Sequence, residues 1–190
     1  MINDTLVFLK NSLNAHFNRG GKPNEPREDQ VVFPVGQASD SISLKLGAVS
    51  LLLINVEQEN ILHAPNLYRR TMPDGSVQNV NPEIRLNLLV LFVANYQQYE
   101  DALRYLSGVI QYFQNHRLIT QHESPELNDD IEQLVIELET LPFSEQNEVW
   151  GSLRIPYRPS VLYRIKTLVY EGEPQQTMPI VEEKDFRIEQ

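Results

Sequence analysis

The chain has no cysteine at any of its 190 positions. This excludes disulfides, thiolate zinc sites and thiol nucleophiles, and with them secreted disulfide scaffolds, zinc fingers and cysteine hydrolases. A reducing compartment is the expected setting. Basic residues are also scarce: 16 Lys and Arg stand against 26 Asp and Glu, for a net charge of −10. Such a surface repels phosphate backbones, so no nucleic-acid partner is expected. Long apolar runs are missing too. The longest, Leu86 to Ala94, is interrupted by Asn87 and is about half of what a helical membrane span requires, so no membrane partner is expected either. The start, Met1 to Leu6, reaches Asp4 at once and has Lys10 inside its apolar pattern, unlike a signal peptide.

What is present reads as one core. A chain of this length hides about 70% of its unfolded surface and needs no disulfide or metal staple. We expect a single domain over residues 1–171 and a polar, flexible tail over 172–190. Ile2, Leu6, Leu9, Leu13 and Phe17 recur at helical spacing, with Asn3 or Asp4 available as the cap and Gly20 and Gly21 as the stop. The same capping role explains Asn3-Asp4-Thr5 better than glycosylation does. Val31 to Val35 reads as a short strand, which Pro34 confines to a sheet edge. Ala48 to Glu59 and Glu83 to Tyr96 are the two strongest strand candidates and should pair centrally. Ile84, Leu86, Leu88, Val90 and Phe92 would line one face of the second, and Leu89, Leu91 and Val93 make its other face apolar towards the end.

The long connection between these strands contains Asp74-Gly75, which predicts a small hairpin. Tyr99, Ala102, Leu103, Leu106, Ile110 and Phe113 form a helical stripe within 96–117 that should pack on the sheet. A strand over 130–139, a short helix over 142–153 and a last strand over 160–171 complete the pattern. The expected fold class is α/β of the α+β kind, a single mixed, largely antiparallel sheet with two main helices packed on it.

Motifs for chemistry are few. His16, His63, His116 and His122 show neither the i, i+4 pair of a helical zinc site nor a thiolate neighbour. Gly21-Lys22 resembles the end of a phosphate loop, but Pro23 replaces the magnesium-binding hydroxyl and position 16 is His rather than Gly. Asp129 and Asp130 are the candidates for a carboxylate-based hydrolase, the alternative function from a different class. No metal and no cofactor are expected. Charge is unevenly spread: Leu118 to Leu153 holds nine acids and no Lys or Arg, whereas Arg154, Arg158, Arg164 and Lys166 follow. Such runs are usually solvated faces, and in an assembling protein they also fit a head-to-tail contact.

One segment is more specific. Trp150-Gly-Ser-Leu153, then Tyr157-Arg158-Pro159-Ser160-Val-Leu-Tyr163, resembles the C-terminal signature of the cap, or tail-terminator, proteins of phage-like extracellular contractile injection systems. Asn81-Pro82-Glu-Ile-Arg-Leu86-Asn-Leu88-Leu-Val-Leu91, the Tyr99 to Leu106 helix and Leu53-Ile54-Asn55-Val56-Glu57 resemble the family's central strands and helix. The likeness runs from the first helix to about Glu171. It implies a structural protein, not an enzyme, that forms a ring, typically sixfold, on the last layer of the inner tube and sheath and stops their growth. Its partners would be the tube protein, the sheath protein and further copies of itself, in a phage tail-like particle assembled in the bacterial cytoplasm. A tail-completion or neck protein of a contractile phage is the nearest alternative.

The signature residues Trp150, Tyr157, Arg158, Pro159, Ser160 and Tyr163 also have a structural reading. Trp150 anchors, Pro159 sets the strand entry, and Tyr157 and Tyr163 bury their rings. For partner contacts the candidates are Tyr68, Arg69 and Arg70, residue types enriched where interfaces concentrate energy.

Overall fold

A computed structural model describes residues 1–20, 28–36, 42–59, 69–71, 77–79, 84–128 and 131–169. By compactness the chain divides into two units: Met1–Glu59 with Ile84–Val169, and Asn60–Glu83 with Tyr170–Gln190.

The first unit begins with α1 (Ile2–Phe17), which ends in a 3-10 turn over Asn18–Gly20. Its cap position is held by Met1, not by Asn3 or Asp4. Asp4 stands at the third helical position, where its carboxylate accepts from the Met1 amino group, an arrangement that suits the positive end of the helix dipole. Thr5, Leu6, Phe8, Leu9 and Leu13 are buried.

Two short strands follow, β1 (Val31–Val32) and β2 (Val35–Gly36). The expected single strand is thus split at Phe33-Pro34, because proline has no N–H to give to a ladder. β2 pairs antiparallel with β3 (Ile42–Ser43). β4 (Ala48–Gln58) starts after Gly47, whose φ of +79° is one that side chains rarely adopt.

β7 (Ile84–Asn95) leads through a short link to α2 (Tyr99–Asn115), then β8 (Leu118–Thr120), β9 (Gln133–Glu139), α3 (Phe143–Leu153) and β10 (Ser160–Val169). The six-stranded sheet runs β1-β4-β7-β10-β9-β8. Only β1 against β4 is parallel; the other four pairings are antiparallel. Among the described residues of the second unit, β5 (Arg69–Thr71) and β6 (Val77–Asn79) form an antiparallel pair. This is the hairpin expected around Asp74-Gly75, whose turn residues lie outside the described set.

Alternation along the strands sends apolar side chains to both sheet faces. One face carries Val49, Leu51, Leu88, Val90, Phe92, Tyr163 and Ile165, against which α1 and α2 pack with Leu9, Leu13, Leu106, Val109 and Phe113. α1 and α2 approach closely at Gly108, where a Cβ would lie 2.5 Å from the Phe17 ring. The opposite face has a smaller core of Leu52, Leu91, Val93 and Leu162 around Trp150 of α3. The end of β7 is therefore covered on both sides, as its sequence predicts.

Two local devices shape the sheet. The first is at β1: the Asn14 amide of α1 donates to the Val31 carbonyl and accepts from the Val31 N–H, both at 2.8 Å. The second is a bulge in β4, where the register to β7 shifts between Leu53 and Asn55. Leu52 opposes Leu91 before the bulge, and Glu57 opposes Asn87 after it. The extra residue, Ile54, flips parity, so odd-numbered residues of β4 take the face that even-numbered ones held. Asn55 Oδ1 accepts from the Val56 N–H (2.9 Å) at this irregularity.

Candidate interaction surfaces

The bulge places Glu57 on the same sheet face as Arg164, two strands away. Arg164 Nη1 donates to Glu57, and its Nε donates to Glu139 on β9 at 2.9 Å. The hydrogen bonds it donates, first to Glu139 and then to Glu57, hold the guanidinium even more firmly in its charged form. One residue pair along, Lys166 Nζ donates to Glu137 at 3.0 Å. This face is thus apolar under α3 and ionic beyond it, and the pairs tie three strands together, β4, β10 and β9, the first two across β7.

Both lateral edges are treated unequally. β1 covers only Val49 and Ser50 of β4. Among the described residues no strand pairs with the outer side of β4 beyond that point, although β4 continues to Gln58. At the other edge β8 covers Gln133 to Val135 of β9, and the Ile136 N–H donates to the Arg117 carbonyl. Next to the remaining stretch of β9 lies a groove of ≈ 360 Å³ lined by Leu138, Leu141, Phe143, Val149, Trp150 and Leu162. Phe143 is 89% exposed at its rim.

Of the predicted contact residues, Tyr68 lies outside the described set. Arg69 and Arg70 stand in β5 opposite Asn79 and Gln78. The signature residues fall together in space. Trp150 is buried, and Tyr157 sits edge-on to it with ring centroids 5.2 Å apart. The Pro159 carbonyl accepts from the Ala94 N–H at 2.9 Å, and Ser160 opposes Val93, so the pair start β10. Tyr163 is buried between Phe92 and Phe113, and burial pushes its hydroxyl up to about 12. Tyr157 departs from expectation: it is 61% exposed and meets Trp150 edge-on instead of burying its ring. Arg158 is exposed beside it.

For chemistry, Asp129, Asp130, His63 and the Gly21-Lys22 pair lie outside the described residues. His16 and His116 both flank Tyr112, with centroid distances of 5.1 and 4.3 Å. Burial, then Arg19 and His116, lower the His16 pKa. Among the described residues no group of three or more His, Asp or Glu is placed to hold a metal, and no helix is long and apolar enough to cross a membrane.

Comparison with known proteins gives the family. No curated protein sequence matches the chain significantly. Its fold is similar to that of a solved extracellular contractile injection system structure, the PVC sheath/tube terminator in the extended state, with a TM-score of 0.57 and 18% identity. That alignment covers 100% of this chain and 64% of the other. A second likeness is to the tube terminating cap of the anti-feeding prophage, with a TM-score of 0.50, 14% identity, and 94% of this chain aligned to 61% of that one. The chain therefore spans less than two thirds of either relative. The model of the Pvc16 N-terminal domain matches residues 5–183. In agreement with the resemblance carried by Trp150 to Tyr163, the chain belongs to the Pvc16 N-terminal domain family.

Proposed function

We infer that the chain is a structural cap, or tail terminator, of a contractile injection particle. It forms a ring, sixfold by the family resemblance, on the last layer of the inner tube and its sheath, and it stops both from growing. The reading is carried by the family match over residues 5–183 together with a shared fold along the whole chain. Its partners are the tube protein, the sheath protein and further copies of itself, and its work requires no catalysis and no cofactor. The particle is assembled in the bacterial cytoplasm.

A terminator must offer one surface that continues the layer below and another that offers nothing to the next subunit. Two stretches of one sheet edge supply that asymmetry. The edge of β4 past Ser50 can take an extended segment by strand addition, where backbone hydrogen bonds give affinity with little demand on sequence. The outer side of β1 is already taken by Asn14. Tyr68, Arg69 and Arg70 are the proposed contacts to tube or sheath.

The test is particle length. Rods purified from a strain lacking this polypeptide should be overlong, of uneven length, or frayed at one end by electron microscopy. Rods of normal length with intact ends overturn the reading. Replacing Arg69 and Arg70 together by Glu should weaken capping while leaving the chain folded; unchanged capping removes them as contacts.

A further inference from the structure

We propose that Arg154, Tyr157 and Arg158 form a docking corner that receives the acidic loop between β8 and β9 of a second copy of this chain. It deepens the terminator reading in one respect, since it assumes that copies assemble, and it is independent of what they assemble on.

The corner is built, not incidental. Arg154 follows α3 with φ +54° and ψ 31°, and among the described residues it is the one non-glycine residue with positive φ. Glycine takes this helix-ending position readily, whereas an arginine there costs about 1 kcal/mol. Tyr157 is exposed yet held edge-on to buried Trp150. A fixed, exposed aromatic ring next to arginine is the composition of an interface anchor. Pro156 and Pro159 bracket Tyr157 and Arg158 and restrict their backbone. Arg158 lines a hollow of ≈ 240 Å³ with Ile42, Leu44, Asn95 and Ile155. Both arginines are exposed, and neither has an ion-pair partner among the described residues. Unpaired cations are notable in a chain of net charge −10.

The complement lies on the same chain. Between Thr120 and Gln133 the exposed acids among the described residues are Glu123, Glu126 and Glu132. Their loop is ordered by backbone bonds from Glu123 and Ser124 to Thr120 and from Leu127 to Ser124. Buried Leu127 and Ile131 pin it to the core. The register sets its distance from the corner: β10 begins at Ser160, beside the corner, and Leu168 opposes Gln133, where the loop ends. Eight residues of strand separate the two, about 26 Å. Opposite charges at opposite ends of one rigid strand cannot meet within a copy. They meet between copies, head to tail, and such a heterologous contact repeats until it closes. In a chain this acidic, contact between carboxylates and cations favours the meeting of copies, and the corner presents two cations without an ion-pair partner among the described residues.

The test uses full-length chains in analytical ultracentrifugation at low and high salt. The unmodified chain should self-associate, more weakly as salt rises. Arg154→Glu with Arg158→Glu should weaken association at least about tenfold, as should Glu123→Arg with Glu126→Arg. An equimolar mixture of the two double variants should associate again, because each then supplies the charge that the other's partner surface needs. Circular dichroism and melting confirm that each variant is folded; a corner pair that fails this is replaced by Arg154→Ala with Arg158→Ala, and a loop pair by Glu123→Ala with Glu126→Ala, each read by loss of association alone. Monomers under all conditions, no loss in either variant, or loss without recovery on mixing each overturn the proposal. Normal-length rods in the deletion strain defeat the terminator reading alone, so the two failures are told apart.

Discussion

Asn14 of α1 pairs its side-chain amide with both main-chain polar groups of Val31, as a neighbouring strand would. β1 is only two residues long and lies at the sheet edge, where an unpaired backbone would invite another strand. Asn14 and Val31 are both buried, so these bonds form away from water and losing them leaves two groups unsatisfied. We expect Asn14→Leu to cost about 2–5 kcal/mol in chemical denaturation. Asn14→Asp should also be poor, because it sets a second oxygen against the Val31 carbonyl.

Gly108 tests the α1/α2 contact. Gly108→Ala gains about 1 kcal/mol of helix propensity, but the new methyl meets the Phe17 ring at 2.5 Å. Phe17 is itself packed edge-on against Tyr105 at 5.3 Å, so it has little room to retreat. Overpacking of about 1–3 kcal/mol should exceed the gain, and thermal unfolding should show a lower Tm. Gly108→Ala with Phe17→Leu should recover part of the loss.

The Arg164 fork predicts a small, salt-dependent effect. Its side chain is 23% exposed and those of Glu57 and Glu139 are 37% and 29% exposed, so solvent screens both pairs. Arg164→Lys loses one of two directed bonds and should cost about 0.5–1 kcal/mol. A double-mutant cycle with Glu57→Gln should show coupling that falls with salt.

Alkaline pH should destabilise the fold through Tyr163. Its folded pKa of about 12 lies above the ordinary value of 10.0. The unfolded chain therefore releases this proton first. The stability is complete below pH 10 and declines as pH rises towards 12, by about 2–3 kcal/mol from this residue. Buried Tyr112 shifts in the same direction, as does Tyr96. Tyr163→Phe should flatten the decline measured by urea denaturation between pH 9 and 11.

Much of the fold is legible because its periods are strong. The stripe of Leu6, Leu9 and Leu13 and the two-sided apolar pattern of Leu88 to Val93 are read directly as α1 and β7, and the last strand's alternation through Val161, Tyr163 and Ile165 is read with its correct face. β8 is missed because Leu118 to Thr120 is too short to show a period and has exposed Leu118 at its start. The β2/β3 pair is missed for the same reason. The bulge is invisible, since Leu51 to Val56 reads as one apolar run whatever its phase. For the surfaces, the signature from Trp150 to Tyr163 is legible as a cluster, but not which ring faces out. Tyr157 and Tyr163 have the same side chain; Tyr163 is buried because its place in β10 turns it to the face that α1 and α2 cover, whereas Tyr157 precedes the strand.

Ile54 reverses the phase of β4 by stepping out of the ladder. Held in plain register it would oppose Leu89 and set Asn55 against Leu88 and Glu57 against Leu86, on the interior face, with Val56 turned outward. Deleting Ile54 leaves Asn55, Val56 and Glu57 against their present partners and removes only the local bend and added twist. Whether that one position is skipped, and not the side chain it carries, decides that Glu57 reaches Arg164.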